Sequence, residues 1–102
     1  MKPALDEEMI EAAVLALQNE RFVLGESVYK FEEEFAGFCG TRYAVSTGSG
    51  TGALQIALQA MGIGPGDQVL TTPFSFIATS NAILHSGARP VFSDVEASDF
   101  NL

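Results

Sequence analysis

The chain has 102 residues, 47% of them apolar and 18% charged. That excludes an intrinsically disordered polypeptide and leaves room for one domain and little more. Thirteen Asp and Glu against five Lys and Arg give a net charge of −8, a sign that repels nucleic acid and anionic membranes, both of which need a cationic footprint. No apolar run approaches the roughly 18–20 residues that span a bilayer. The acidic start Asp6-Glu7-Glu8 does not read as a secretory signal. A single cysteine, Cys39, has no internal partner, and the chain reads as cytoplasmic. So apolar an average in so short a chain, closing on Ser98-Asp99-Phe100-Asn101-Leu102 without a polar tail, leads us to expect the N-terminal part of a larger protein. The alternative is a complete small domain that hides its apolar surface by oligomerising.

Asp6 predicts the N-cap of a helix reaching about Asn19, with Ile10, Ala13, Val14 and Leu17 at helical spacing. Arg21–Gly25 reads as a short extended loop. A second helix is expected from Ser27 to Cys39. Its stripe of Val28, Phe31, Phe35 and Phe38 reads as core, Glu32, Glu33 and Glu34 as a solvated face, and Cys39 as a buried small residue. Gly40 is a natural left-handed terminator. A strand over Tyr43–Ser46 is expected to feed the loop Thr47-Gly48-Ser49-Gly50-Thr51-Gly52 and a helix over Ala53–Met61. After the turn Gly64-Pro65-Gly66-Asp67 come a strand from Gln68 to Thr72, a helix from Phe76 to about Ser86 capped by Ser75, and a strand over Pro90–Ser93. This β-α-β-α-β order predicts an α/β fold with a parallel sheet, incomplete within these residues.

The glycine loop carries the clearest chemical signal. Small residues leave backbone N–H groups unobstructed, the helix that begins there aims its positive end at the loop, and Ser49 and Thr51 add hydroxyl donors; together they suit a phosphate monoester. The lysine of a nucleotide-triphosphate loop is absent. Gly48-x-Gly50-x-x-Ala53 formally matches the dinucleotide fingerprint. The acidic residue expected at the end of the next strand is missing, however, and Asp67 lies before that strand, at its wrong end. Phe76 falls after the following strand, at the carboxyl edge where open α/β sheets bind ligands. Its ring is either a stacking face for a flat ligand or one more core residue. His85, late in its helix, suits the helix dipole, and Arg21 and Arg89 are cations with either surface or diphosphate-pairing roles.

The chain resembles the DegT/StrS-type sugar aminotransferases, pyridoxal-phosphate enzymes of fold type I. The resemblance rests on an ordered set of segments. Gly25, Val28, Phe31-Glu32 and Glu34-Phe35-Ala36 come first, then Tyr43-Ala44-Val45, Ser49-Gly50-Thr51 and Ala53-Leu54. Gly62-Ile63-Gly64-Pro65-Gly66-Asp67-Gln68-Val69, Ser75–Thr79 and Gly87–Val95 follow. It implies that residues 1–102 are part of a three-layer α/β/α large domain, with an N-terminal helical segment over 1–40 and an incomplete sheet whose first strand lies apart from the next two. It implies that Gly50, Thr51 and Gly52, the last more often alanine in the family, bind the cofactor phosphate through backbone N–H groups and the threonine hydroxyl. It implies that Phe76 stacks on the pyridine ring and that Asp94 is not the carboxylate partner of that ring.

Neither Lys2 nor Lys30 matches the family's Schiff-base lysine, so the chain by itself is expected to be inactive and to contribute no catalytic residue and no metal ligand. The resemblance further implies a cytoplasmic homodimer that passes an amino group, usually from glutamate, to a nucleotide-linked keto-sugar in amino-sugar, polysaccharide or antibiotic-sugar biosynthesis. Two other readings stay open on the residues alone: a dinucleotide-binding fragment of an oxidoreductase, and a non-catalytic interaction domain.

Overall fold

The computed structural model describes residues 3–102, so Lys2 lies outside it. The chain divides into two units, one ending at Ser46 and one running Thr47–Leu102. In the first unit, α1 (Glu7–Asn19) starts where Asp6 predicts it: the Asp6 carboxylate accepts the Met9 amide at 2.8 Å, and Glu7 and Glu8 face the positive end of the helix. The loop that follows is bent, because Leu24 takes the left-handed conformation at φ 54°.

Helix α2 (Glu26–Cys39) begins one residue earlier than expected, behind Gly25, which has no side chain with which to cap. Glu20 supplies the cap from a distance. One of its carboxylate oxygens accepts the Ser27 amide at 2.9 Å, and the other accepts the Ser27 hydroxyl. A Cβ on Gly25 would lie 2.5 Å from Glu20 Oε2 and 2.9 Å from the Arg21 carbonyl, so this crossing admits only glycine. Gly40, at φ 68°, ends the helix.

Three expectations for this unit are corrected. Phe31, Phe35 and Phe38 are not core. They remain exposed along one face of α2, with ring centroids 5.4 and 6.4 Å apart in sequence order, because no described residue covers that face. Cys39, at the end of the helix, is exposed as well. Tyr43–Ser46 forms no strand, since a ladder needs a partner and the described residues provide none. The glutamates also divide. Glu33 and Glu34 are exposed, with Glu34 3.7 Å from Lys30, whereas Glu32 Oε1 accepts both the amide and the hydroxyl of Ser46 at 2.7 Å each.

In the second unit, α3 (Gly50–Ala60) is followed by the turn in which the Asp67 carboxylate accepts the Gly64 amide at 2.9 Å. Strand β1 (Gln68–Thr71), helix α4 (Ala78–His85) and strand β2 (Arg89–Phe92) make a parallel crossover unit, with Gln68 opposite Arg89 and Thr71 opposite Phe92. α4 packs on both strands and on α3. It buries Ala82 and Ile83, which with Ala88 and Thr71 form the small core of this unit. The sheet has two strands, not three, so both its edges are open among the described residues.

Helix α4 starts at Ala78, not Phe76, and Ser75 does not cap it. The Ser75 hydroxyl lies 3.5 Å from the Thr79 hydroxyl instead of reaching a backbone amide, and Ile77 stands at the cap position. Gly87 turns the chain into β2 at φ 87°, against the ring of Pro65, whose Cγ would lie 2.9 Å from a Cβ.

Candidate functional site

The glycine loop is partly helix. Ser49 is extended (φ −165°, ψ 158°) and serves as the N-cap of α3, its hydroxyl oxygen accepting the Gly52 amide at 3.1 Å. Its carbonyl accepts the Ala53 amide at 3.0 Å and the Thr47 hydroxyl at 2.9 Å. Sequence patterning starts the helix at Ala53; the Ser49 cap brings Gly50, Thr51 and Gly52 into its first turn.

These bonds leave a defined set of donors. The Gly50 and Thr51 amides occupy the first two helical positions, which have no intrahelical acceptor, and among the described residues they have no other partner. The Thr51 hydroxyl is likewise without a partner among the described residues. The Ser49 hydroxyl accepts from Gly52 and keeps its own hydrogen to donate. The Gly52 amide, by contrast, is already engaged.

Among the described residues, nothing in the backbone or in the packing requires glycine at these three positions. Gly48, Gly50 and Gly52 avoid positive φ. A Cβ at Gly48 or Gly50 would meet nothing within 4 Å, and one at Gly52 would make ordinary contact with the Ser49 hydroxyl oxygen at 3.4 Å. The smallness of Gly48 and Gly50 leaves space over the first turn for a group from outside the described residues. The electrostatics agree. α1 and α2 carry glutamates in their first turns, while α3 has no acidic residue there, so its positive end stays uncompensated in a strongly acidic chain. Phosphate oxygens match this set of two amides, two hydroxyls and a helix terminus, and the residues present therefore fit a phosphate-bearing cofactor.

Phe76 lies in the segment between β1 and α4, 78% exposed, and its ring stacks on no other aromatic among the described residues. Of the two sequence readings, core is therefore excluded for the described residues. Its neighbour Phe74 differs, stacking on Phe100 with centroids 5.5 Å apart. His85 Nδ1 lies 2.5 Å from Gln55 Nε2, a contact that ties α4 to α3. Asp94 accepts the amide of its neighbour Val95 at 3.0 Å. Arg21 lines an open cleft of about 810 Å³ with Leu15, Leu24 and Tyr29; Arg89 lines a smaller one of about 290 Å³ with Asp67 and Leu84. Neither arginine makes an ion pair among the described residues. Those residues contain no cluster of three His, Cys, Asp or Glu able to hold a metal ion, and no helix long and apolar enough to cross a membrane.

The family model of the DegT/DnrJ/EryC1/StrS aminotransferases matches residues 3–102. The chain belongs to that family. It is 43% identical, over 98% of its length, to the spore coat polysaccharide biosynthesis protein SpsC of Bacillus subtilis, and covers 26% of that protein. It is 40% identical, over 84% of its length, to a UDP-2-acetamido-2-deoxy-3-oxo-D-glucuronate aminotransferase of Pseudomonas aeruginosa, covering 24% of it. Among solved structures, the PLP form of Spr1654 from Streptococcus pneumoniae, provisionally assigned as a sugar aminotransferase, superposes with a TM-score of 0.86 at 30% identity, over 96% of this chain and 25% of that one. The family member's fold is thus the α/β fold of these aminotransferases, and the chain spans about a quarter of the length of the curated relatives it matches.

Proposed function

We propose that residues 1–102 form the N-terminal portion of the large domain of a pyridoxal-phosphate-dependent aminotransferase that acts on a keto-sugar carried by a nucleotide. The observation that carries this reading is the first turn of α3, with the Gly50 and Thr51 amides unpartnered among the described residues, in a chain whose family is that of the sugar aminotransferases. Pyridoxal phosphate, when bound, supplies an electron sink for amino transfer.

The chain's own residues hold and orient it. The Gly50 and Thr51 amides and the Ser49 and Thr51 hydroxyls donate to the phosphate. Gly52, through its bond to Ser49, keeps that hydroxyl's hydrogen directed outward. Phe76 offers its exposed ring to the pyridine face, a contact worth about 0.5–1.5 kcal/mol beyond burial. Lys30 pairs with Glu34 on α2; the lysine that anchors the cofactor is assigned outside residues 1–102. The amino donor is glutamate, the assembly a homodimer and the setting the cytoplasm. The nucleotide-sugar substrate rests on the Pseudomonas aeruginosa relative, whose name specifies a UDP-linked 3-oxo sugar acid.

The test is the intact mass of the full-length protein after incubation with pyridoxal phosphate and borohydride. One reduced cofactor on a lysine is expected. Uptake of NAD without any such adduct overturns the reading in favour of a dinucleotide-binding protein.

A further inference from the structure

Glu32 is the feature that the proposed function leaves unused. It stands on α2, fourteen residues before Ser46, and a single carboxylate oxygen accepts two hydrogen bonds from that residue, from the amide and from the hydroxyl, both at 2.7 Å. Charge-assisted bonds of this length are the strong kind. Both residues are half-buried, in contrast to the exposed Glu33 and Glu34 beside them. Ser46 is covalently followed by Thr47, which opens the glycine loop and whose hydroxyl donates to the Ser49 carbonyl. A carboxylate thus pins the backbone at the point where the chain enters the phosphate loop.

We propose that Glu32 is a positioning residue for the phosphate loop, acting through Ser46. This rests on the cofactor reading given above and deepens it. The physical reason is conformational entropy: a loop whose entrance is free must be ordered when the phosphate binds, and ordering even one residue's backbone weakens binding by about tenfold. Glu32 removes that cost beforehand, and its effect is specific to ligands that use the loop. The Ser46 bonds also hold the Glu32 carboxyl below its ordinary titration range, the amide contributing most and the hydroxyl next, so the clamp is ionised wherever the protein is at neutral pH.

The experiment compares affinities of the full-length protein for pyridoxal phosphate and for pyridoxal, which lacks the phosphate, in wild type, Glu32→Ala, Glu32→Gln and Ser46→Ala. The expected result is a loss of about tenfold for pyridoxal phosphate in Glu32→Ala, no change for pyridoxal, and smaller losses in Glu32→Gln and Ser46→Ala, which keep one acceptor or one donor each. Equal affinities for pyridoxal phosphate in wild type and Glu32→Ala overturn the inference. So do equal losses for both ligands, which would make Glu32 a general scaffold residue. If Glu32→Ala does not fold, Glu32→Gln and Ser46→Ala decide between the same outcomes. A wild-type protein that takes up no pyridoxal phosphate overturns the cofactor reading and this inference with it, whereas wild-type uptake matched by all three variants overturns the Glu32 inference alone.

Discussion

The Ser49 hydroxyl oxygen accepts the Gly52 amide at 3.1 Å, so one side chain both starts α3 and decides which first-turn amides stay open. Replacing Ser49 with alanine removes the cap and one hydroxyl donor together. The expected cost is about 1 kcal/mol of stability from the lost cap, and a fall of about tenfold in pyridoxal phosphate affinity from the lost donor to a charged group. Thermal unfolding and a cofactor titration of the full-length protein measure the two separately. Lowered stability with unchanged affinity would take Ser49 out of the phosphate contact and leave it as a cap.

Two glycines of the second unit make a controlled pair. Gly52 sits inside the first turn of α3 without positive φ, and a Cβ there makes only ordinary contacts. Gly52→Ala should stabilise the protein by about 0.5–1 kcal/mol, the usual gain for replacing a helical glycine, and should leave cofactor binding intact. Gly87 has φ 87° and would put a Cβ 2.9 Å from Pro65 Cγ. Gly87→Ala should cost about 2–3 kcal/mol, combining left-handed strain with overpacking. Denaturant unfolding of both variants checks the contrast, and shifts of the same sign would contradict it.

Phe76 is exposed enough that its removal should barely alter folding. Phe76→Ala should change stability by less than about 0.5 kcal/mol and weaken pyridoxal phosphate binding by about 0.5–1.5 kcal/mol. Phe74→Ala is the control, because that ring is already stacked on Phe100. Cofactor affinity lowered in Phe74→Ala and untouched in Phe76→Ala would reverse the assignment.

How far the sequence led depends on the range of the interactions involved. A cap made over three residues was legible: Asp6 to Met9 sets the start of α1. Periodicity showed that Phe31, Phe35 and Phe38 share a face, but periodicity says nothing about whether that face is covered, and here it is open. The strand expected over Tyr43–Ser46 failed for a related reason, since β structure is a property of a pair. Charge patterning grouped Glu32 with its neighbours as solvated, and no spacing rule joins it to a serine fourteen positions on. Ser75 was a plausible cap by type, but its hydroxyl is directed at Thr79, and α4 begins later.

Glu20 gives a prediction in pH. Its carboxylate accepts the Ser27 hydroxyl and the Ser27 amide, which hold its pKa below the ordinary glutamate value, the hydroxyl contributing most. A carboxyl whose folded pKa is depressed contributes stability that is fully present above its unfolded value and is lost as pH falls through the folded one. The cap on α2 should therefore be intact at neutral pH and should release only at pH values below the usual glutamate range. A carbon-detected NMR titration of the Glu20 carboxyl should show a midpoint below the ordinary glutamate value. Ser27→Ala should move the midpoint back up, because it removes the larger of the two bonds, and should leave part of the depression, because the amide remains. A wild-type midpoint at the ordinary glutamate value would mean that Glu20 does not cap α2 in solution, and that the close crossing at Gly25 has another cause.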